Sequence, residues 1–501
     1  MFEAFIDGLL MILTWKALLY LFLGILIGYA VGILPGLGGG TTLALMLPFI
    51  YKMTPGEAMA FLLGMHSVVQ TAGDITSILF GIPGEATTVA MIVDGYPMSK
   101  RGEAGRALGA GLSASLIGVI IGALVLLFSV PIVRPLVLSL GSPEMLMVII
   151  LGLTCISSLS GKGRRALLLG LLSAGFGFMC SLVGQDRQAG ILRFTFGQLY
   201  LWNGLPLVPV MVGFFAIPEM VDLAVRGTSI AGKLPEGKLT KGVWDGVKDT
   251  IKHFWMCVRC SFIGVAIGIL PGLGGGVAQW LAYAHAVQSA KTDEERAGFG
   301  KGDVRGVIGP GASTGKEGGA LVPTVAFGIP GSSAMAILLG AFMILGIVPG
   351  PDMLTKYLPV TFSMVWILVI ANIVTVLISI PIINHMARLT TVRGSIMIAF
   401  ILLLCFIGAY CENNHIGDVI VMLLFGFIGY LMVLYDFPRP PFILAFILGK
   451  MTETYYYIST TRYGFDWIYR PKVIFIFALA VLAGAYPFLK GKLRSVVGGN
   501  R

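Results

Sequence analysis

Charge is scarce in this chain. Only 12% of its 501 residues are Asp, Glu, Lys or Arg, 56% are hydrophobic, and mean hydropathy is +0.89. So few charges cannot keep that much apolar surface in water, which excludes a soluble globular domain and makes lipid the solvent. Cysteine is sparse too, and the six residues lie in or beside apolar runs. Cys257 and Cys260 form a CxxC, but no second pair or His cluster accompanies them. That argues against a zinc or redox centre; three residues apart, they share a helix face. An intact phosphate loop is missing: GPGASTGKEGG (Gly309–Gly319) has Pro310 where GxxxxGK[ST] needs Gly, and Glu317 where it needs Ser or Thr. An intramembrane aspartyl protease fits no better. TAGD (Thr71–Asp74) has Thr71 at the first glycine of GxGD, and YD (Tyr435–Asp436) follows it instead of preceding it.

What is present is a series of apolar runs long enough to span a bilayer. The clear ones are Trp15–Ile33, Ala107–Val130, Met145–Ser160, Leu167–Val183, Tyr357–Ile383, Ile396–Cys411, Ile416–Leu434 and Val473–Leu489. With the shorter pieces between them, ~20 residues per span gives roughly ten to twelve crossings plus partial ones. The expected fold class is an all-α polytopic membrane protein with re-entrant or broken helices. The first run has no small-residue cleavage site and is interrupted at Lys16, so it reads as a retained helix and not a signal peptide. The net charge of +10 sits between spans, where the positive-inside bias puts it, and implies no nucleic acid.

GILPGLGGG occurs twice, at Gly32–Gly40 and Gly268–Gly276, 236 residues apart. FGIPG also occurs twice, at Phe80–Gly84 and Phe327–Gly331, 247 residues apart. The 11 extra residues of the second half are expected in the charged stretch Lys291–Asp303. Asp-Gly precedes each first span, at Asp7–Gly8 and Asp245–Gly246. Two inverted structural repeats are therefore expected, residues 1–225 and 254–501, joined by a polar linker over 226–253 and ending in a basic tail. Internal duplication in a polytopic chain points to secondary transport. The linker, Gly161–Arg165 and Lys490–Arg494 are basic and read as cytoplasmic, whereas the acidic N-terminus reads as external. Strictly inverted repeats would put both termini on one side, so an extra helix outside the repeat is expected.

Unwound backbone at membrane depth survives only when buried in protein or lining a wet cavity. The glycine segments are such backbone, and freed carbonyls there suit a cation. The expected cation ligands are Gly36, Gly38, Gly39, Gly40, Thr41 and Thr42 in the first copy, and Gly272, Gly274, Gly275 and Gly276 in the second. No metal beyond a transported Na⁺ is expected. GIPGEATT and GIPGSSAM place a Pro-Gly break before small hydroxyl residues, as at a helix N-terminus. Free N–H donors and the helix dipole make such a start a carboxylate receptor. Gly84, Thr87, Thr88, Gly331, Ser332 and Ser333 are the candidates, with Lys316 as a possible cationic contact beside Glu317. His66, Gln70 and Asp74 are accessory polar residues, because an intramembrane charge faces a cavity or a partner.

These motifs resemble the large membrane subunit of tripartite tricarboxylate transporters, and the likeness runs nearly end to end. It includes GILPGLGGGTT, Phe80–Gly109, GFFAIPE (Gly213–Glu219), Pro323–Ala341, Asp418–Tyr430, and FILAFILG (Phe442–Gly449) with Glu453. The resemblance implies a bacterial inner-membrane symporter for small organic carboxylates, driven by Na⁺ or H⁺. It also implies a small membrane subunit and a periplasmic solute-binding protein as partners, and no cofactor. Two positions depart from the family pattern: Gly309–Gly319 replaces an Asn-rich segment, and Lys450 stands where proline is usual. Energetics favour a symporter: a dianion entering against ~100 mV pays about twice 2.3 kcal/mol, so at least two cations must accompany it. The alternatives are a stand-alone carrier without a binding protein and, from another class, a membrane-embedded enzyme.

Overall fold

A computed structural model describes residues 1–33, 38–159, 163–186, 190–226, 242–271, 274–389 and 394–483. Gly36, Gly272, most of the polar linker, part of the basic Gly161–Arg165 and the whole of Lys490–Arg494 lie outside the described residues. The first half contains α1 (Phe2–Ile12), α2 (Trp15–Ile33), α3 (Gly39–Met46), α4 (Pro55–Phe80), α5 (Val89–Lys100), α6 (Ala104–Leu138), α7 (Ser142–Leu159), α8 (Gly163–Ser181) and α9 (Leu207–Arg226). The second contains α10 (Val243–Lys252), α11 (Phe254–Ile269), α12 (Gly274–Gln288), α13 (Asp293–Ala297), α14 (Arg305–Ala312), α15 (Lys316–Phe327), α16 (Ser333–Ile344), α17 (Leu358–Leu389), α18 (Gly394–Tyr410), α19 (Ile416–Leu434) and α20 (Arg439–Tyr463). The short strands Gly184–Gln185 and Leu192–Arg193 form a small antiparallel pair.

Among the described residues, five helices are long and apolar enough to cross a membrane, or six if the pair α10–α11, bent by 82°, counts as one span. Six shorter apolar helices accompany them. Large apolar side chains on the outer surface, such as Phe128 and Ile132 on α6 and Leu424 and Phe427 on α19, are exposed. That is the surface a bilayer covers.

Packing crosses between the halves in matched pairs. Helix α1 lies on α17 while α10 lies on α6; α4 lies on α17 while α15 lies on α6; α3 meets α16 while α12 meets α5. The Asp-Gly pairs explain the first match. A Cβ on Gly8 would lie 2.8 Å from Pro359 O and Ser363 N, and one on Gly246 would meet Arg106 O and Ala110 N. Each short helix therefore sits backbone-to-backbone on a long helix of the other half.

Helix α4 is the central element, buried at every residue from Ala58 to Phe80. Thr54 and Glu57 open it with a capping box: Glu57 N donates to Thr54 Oγ1 at 3.4 Å and Thr54 N to Glu57 Oε2 at 2.9 Å. Gly81 closes it at φ 66°, as Gly328 closes α15 at φ 68°. This left-handed closure favours glycine and turns each chain back on itself at the same motif.

Cys257 and Cys260 are buried in α11 against Ala114 O and Ala282 O, in a packing role.

Candidate functional site

Both turned-back tips rest on their own half in the same way. A Cβ on Gly84 would lie 2.5 Å from Gly32 O and from Gly73 Cα; one on Gly331 would meet Gly268 O and lie 2.6 Å from Ala320 Cα. Within each tip a hydroxyl holds α4 or α15 by the same bond: Ser77 Oγ donates to Gly73 O at 3.0 Å, and Thr324 Oγ1 to Ala320 O at 2.6 Å. The contacts preserve the 247-residue offset read from the motifs, pairing Gly73 with Ala320 and Gly84 with Gly331.

The hydroxyls have different tasks. Thr88 is buried; its Oγ1 lies 2.9 Å from Ser77 Oγ and donates to Glu85 O at 2.9 Å, which fastens the first tip. Thr87 Oγ1 donates to Glu85 Oε2 at 3.0 Å, and Gly39 N donates to Glu85 Oε1 at 3.2 Å. Glu85 thus caps the N-terminus of α3, a role its place in GIPGEATT did not reveal. In the second tip Ser332 Oγ accepts from Met335 N at 3.3 Å as the N-cap of α16, and Ser333 is exposed at its start.

Gly39 and Gly40 lie in the first turn of α3, and Gly274, Gly275 and Gly276 in the first turn of α12. First turns present N–H groups, whereas their carbonyls enter the helix ladder. Gly38 O accepts from both Thr42 N and Thr42 Oγ1 at 3.1 Å, and Thr41 is buried. The described parts of the glycine segments therefore offer donors, where the sequence led one to expect free acceptors.

Lys316 joins the halves. A Cβ on Gly275 would run into Lys316 Nζ and lie 2.8 Å from Thr87 Cγ2. Lys316 Nζ pairs with Glu317 Oε1 at 3.2 Å, and Glu317 Oε2 lies 3.0 Å from His66 Nε2, off the line of a hydrogen bond. Gly268, Gly275, Lys316, Glu317, Gly331 and Ser332 line a crevice of about 10 Å³, room for about one water and not for a carboxylate. On α4, Asp74 Oδ1 accepts from Gln279 Nε2 at 3.1 Å, and Gln279 Oε1 accepts from Ala90 N at 3.2 Å. Thr71 bonds Ser115 at 2.8 Å and Asn372 at 3.3 Å, tying α4 to α6 and α17.

A larger cavity, of about 600 Å³, lies at the far end of α16, roughly 18 Å from Ser332 by the helical rise. Met343, Ile344, Tyr200, Asn203, Glu412, His415 and Lys450 are among its lining residues. Lys450 Nζ donates to Asn203 O at 3.3 Å. Glu412 accepts from Val208 N at 3.1 Å, closing the N-terminus of α9 from the other half. Burial pushes the Glu412 carboxyl up to about 7, reinforced by Asp418. A raised carboxyl favours the folded state at low pH and withdraws that support as pH climbs from about 4.5 to about 7. Thermal unfolding in detergent should therefore lose stability across this window, by on the order of 3 kcal/mol at 1.36 per pKa unit. Glu412→Gln should flatten the slope; an unchanged slope would mean the carboxyl titrates in its ordinary range.

The family model described as "Tripartite tricarboxylate transporter TctA family" matches residues 18–444. The chain is 30% identical over 446 residues to an uncharacterized 52.8 kDa protein in the TAR-I ttuC' 3' region of Agrobacterium vitis, covering 88% of this chain and 86% of that one. It is 30% identical over 191 residues to an uncharacterized protein in the TAR-II ttuC' 3' region of the same organism, covering 38% of this chain and 78% of that one. No solved structure matches it.

Proposed function

The chain belongs to the tripartite tricarboxylate transporter TctA family, and on that premise we propose that it is the large subunit of a cation-coupled importer of small organic carboxylates in a bacterial inner membrane. The family is one of transporters, not enzymes, and implies a tripartite system with a binding protein and a small membrane subunit. The coupling ion is Na⁺ or H⁺.

One observation carries the reading at the level of the site. The ammonium of Lys316 stands where the first turn of α12 meets the tip of the opposite half, beside Gly275 and Thr87. A cation flanked by helix starts and hydroxyls is the chemistry a carboxylate needs. Thr87, Ser332 and Ser333 supply hydroxyls, Gly274–Gly276 supply N–H groups, and Gly84 and Gly331 let the tips approach closely enough. Thr88 acts through the tip it fastens.

The matched packing of the halves supports reading residues 1–225 and 254–501 as two repeats inserted in opposite senses, with 226–253 as their linker. A crevice of about 10 Å³ cannot admit a carboxylate, so the tips part when substrate enters. Radiolabelled di- and tricarboxylate uptake into proteoliposomes, with the small subunit and binding protein supplied, tests the function. Accumulation should follow an imposed Na⁺ or H⁺ gradient and collapse when it is dissipated. Uptake indifferent to both gradients would sink the symport reading.

A further inference from the structure

Packing does not explain the polar face of α4. His66, Gln70 and Asp74 recur every four residues, so they share one side of the helix across two turns. They are only 6%, 2% and 3% exposed. Yet His66 Nδ1, both polar atoms of the Gln70 amide, and Asp74 Oδ2 have no hydrogen-bond partner among the described residues. A buried polar group left unpaired is costly, most of all at membrane depth, and calls for a ligand.

The repeat adds a second, independent observation. By the offset that pairs Gly73 with Ala320, Asp74 corresponds to Leu321, Glu85 to Ser332, and Val69 to Lys316. The matched positions thus differ in charge: the first half carries Asp74 and Glu85 where the second is neutral, and the second carries the Lys316–Glu317 ion pair where the first has Val69 and Gln70. The first copy is net negative where the second is balanced, which suits the first to a cation.

We propose that the coupling ion is Na⁺, bound in the first half between Asp74 Oδ2 and the Gln70 amide oxygen, while the substrate carboxylate binds in the second half at Lys316 and Ser332. This rests on the transport reading above and names its ion site. Four residues apart on one helix face, the two side chains can share one ion. A hard cation takes both a carboxylate and an amide oxygen, so one Na⁺ can engage Asp74 Oδ2 and Gln70 Oε1 together. Coupling follows from charge. Gly73, the residue before Asp74, lies against Glu85 N, and Thr87, which bonds Glu85, borders Gly275 beside Lys316. An uncompensated Asp74 carboxylate repels an incoming carboxylate, and Na⁺ on it removes the repulsion, so each ligand favours the other.

The test uses the purified full-length protein without substrate. Thermal unfolding is followed as NaCl replaces choline chloride at constant ionic strength and pH. Wild type should be stabilised saturably by Na⁺. Asp74→Asn should raise the half-saturating Na⁺ concentration at least tenfold and Gln70→Leu several-fold, whereas Gln70→Glu, with a second carboxylate, should lower it. If Asp74→Asn does not fold, the opposed Gln70 variants decide. Wild-type midpoints in both, or stabilisation by protons with no effect of Na⁺, would overturn the site. Na⁺-driven uptake with unmoved midpoints defeats this proposal alone; shifted midpoints without Na⁺-driven uptake support the site and defeat the transport reading.

Discussion

Lys316→Met is expected to abolish carboxylate uptake while leaving a folded but weakened protein. Its Nζ lies 3.2 Å from Glu317 Oε1 in a buried pair that also touches His66. Removing one partner of a buried pair leaves the other charge uncompensated, typically at about 3–5 kcal/mol. Stability and function are separable with the double variant Lys316→Met/Glu317→Gln, which removes both charges. Unfolding temperature should largely recover in it, and uptake should not. Lys316→Arg should also fail, because Gly275 and Thr87 close around the ammonium and leave no room for a planar fork. If the double variant transports at the wild-type rate, Lys316 is a structural ion-pair partner and the carboxylate binds elsewhere.

The second large effect separates two glycines that resemble each other in sequence. A methyl on Gly331 would meet Gly268 O and Ala320 Cα, both backbone. Backbone cannot step aside, so Gly331→Ala should push the second tip off α15 at about 3 kcal/mol, the upper range for overpacking. It should lower the unfolding temperature and abolish uptake together. The methyl of Gly275→Ala would meet chiefly the far end of the Lys316 side chain, which can swing away. That variant should lose less stability than Gly331→Ala so long as the displaced ammonium keeps Glu317, and should still lose uptake, because the ammonium leaves its place beside Thr87. Equal stability loss in both would contradict this division between scaffold and site.

Sequence made the membrane-helical class legible because hydropathy is additive along a chain, and two motifs that recur in the same order pointed to the two tips. It was least informative at α4. His66, Gln70, Thr71 and Asp74 interrupt the apolar pattern there, so the most buried helix did not read as a span. Its burial comes from neighbours in both halves, α2 and α17 among them, which no local window contains. Helices α9 and α20 were missed for related reasons: Pro218 breaks the first pattern, and Lys450, Glu453 and a run of tyrosines dilute the second. At the site, the motifs pointed to the tips and to Lys316, but not to Glu85. Its carboxylate matters through Gly39 N, 46 residues away. The cavity beside Glu412 and Lys450 was invisible, since its walls come from segments as distant as Tyr51 and Lys450.

Alternating access by this fold requires that the two tips approach one carboxylate site from opposite faces and part in turn. Single cysteines at Thr87 and Ser333, in a background without the six native cysteines, test it most directly. Labelling by an impermeant thiol reagent is measured from each side of right-side-out and inverted vesicles, with and without substrate and Na⁺. Each position should label faster from a different side, and substrate should shift the two rates in opposite directions. Equal labelling of both from one side, unmoved by substrate or ion, would contradict it and leave the repeated loops as packing elements of a duplicated chain.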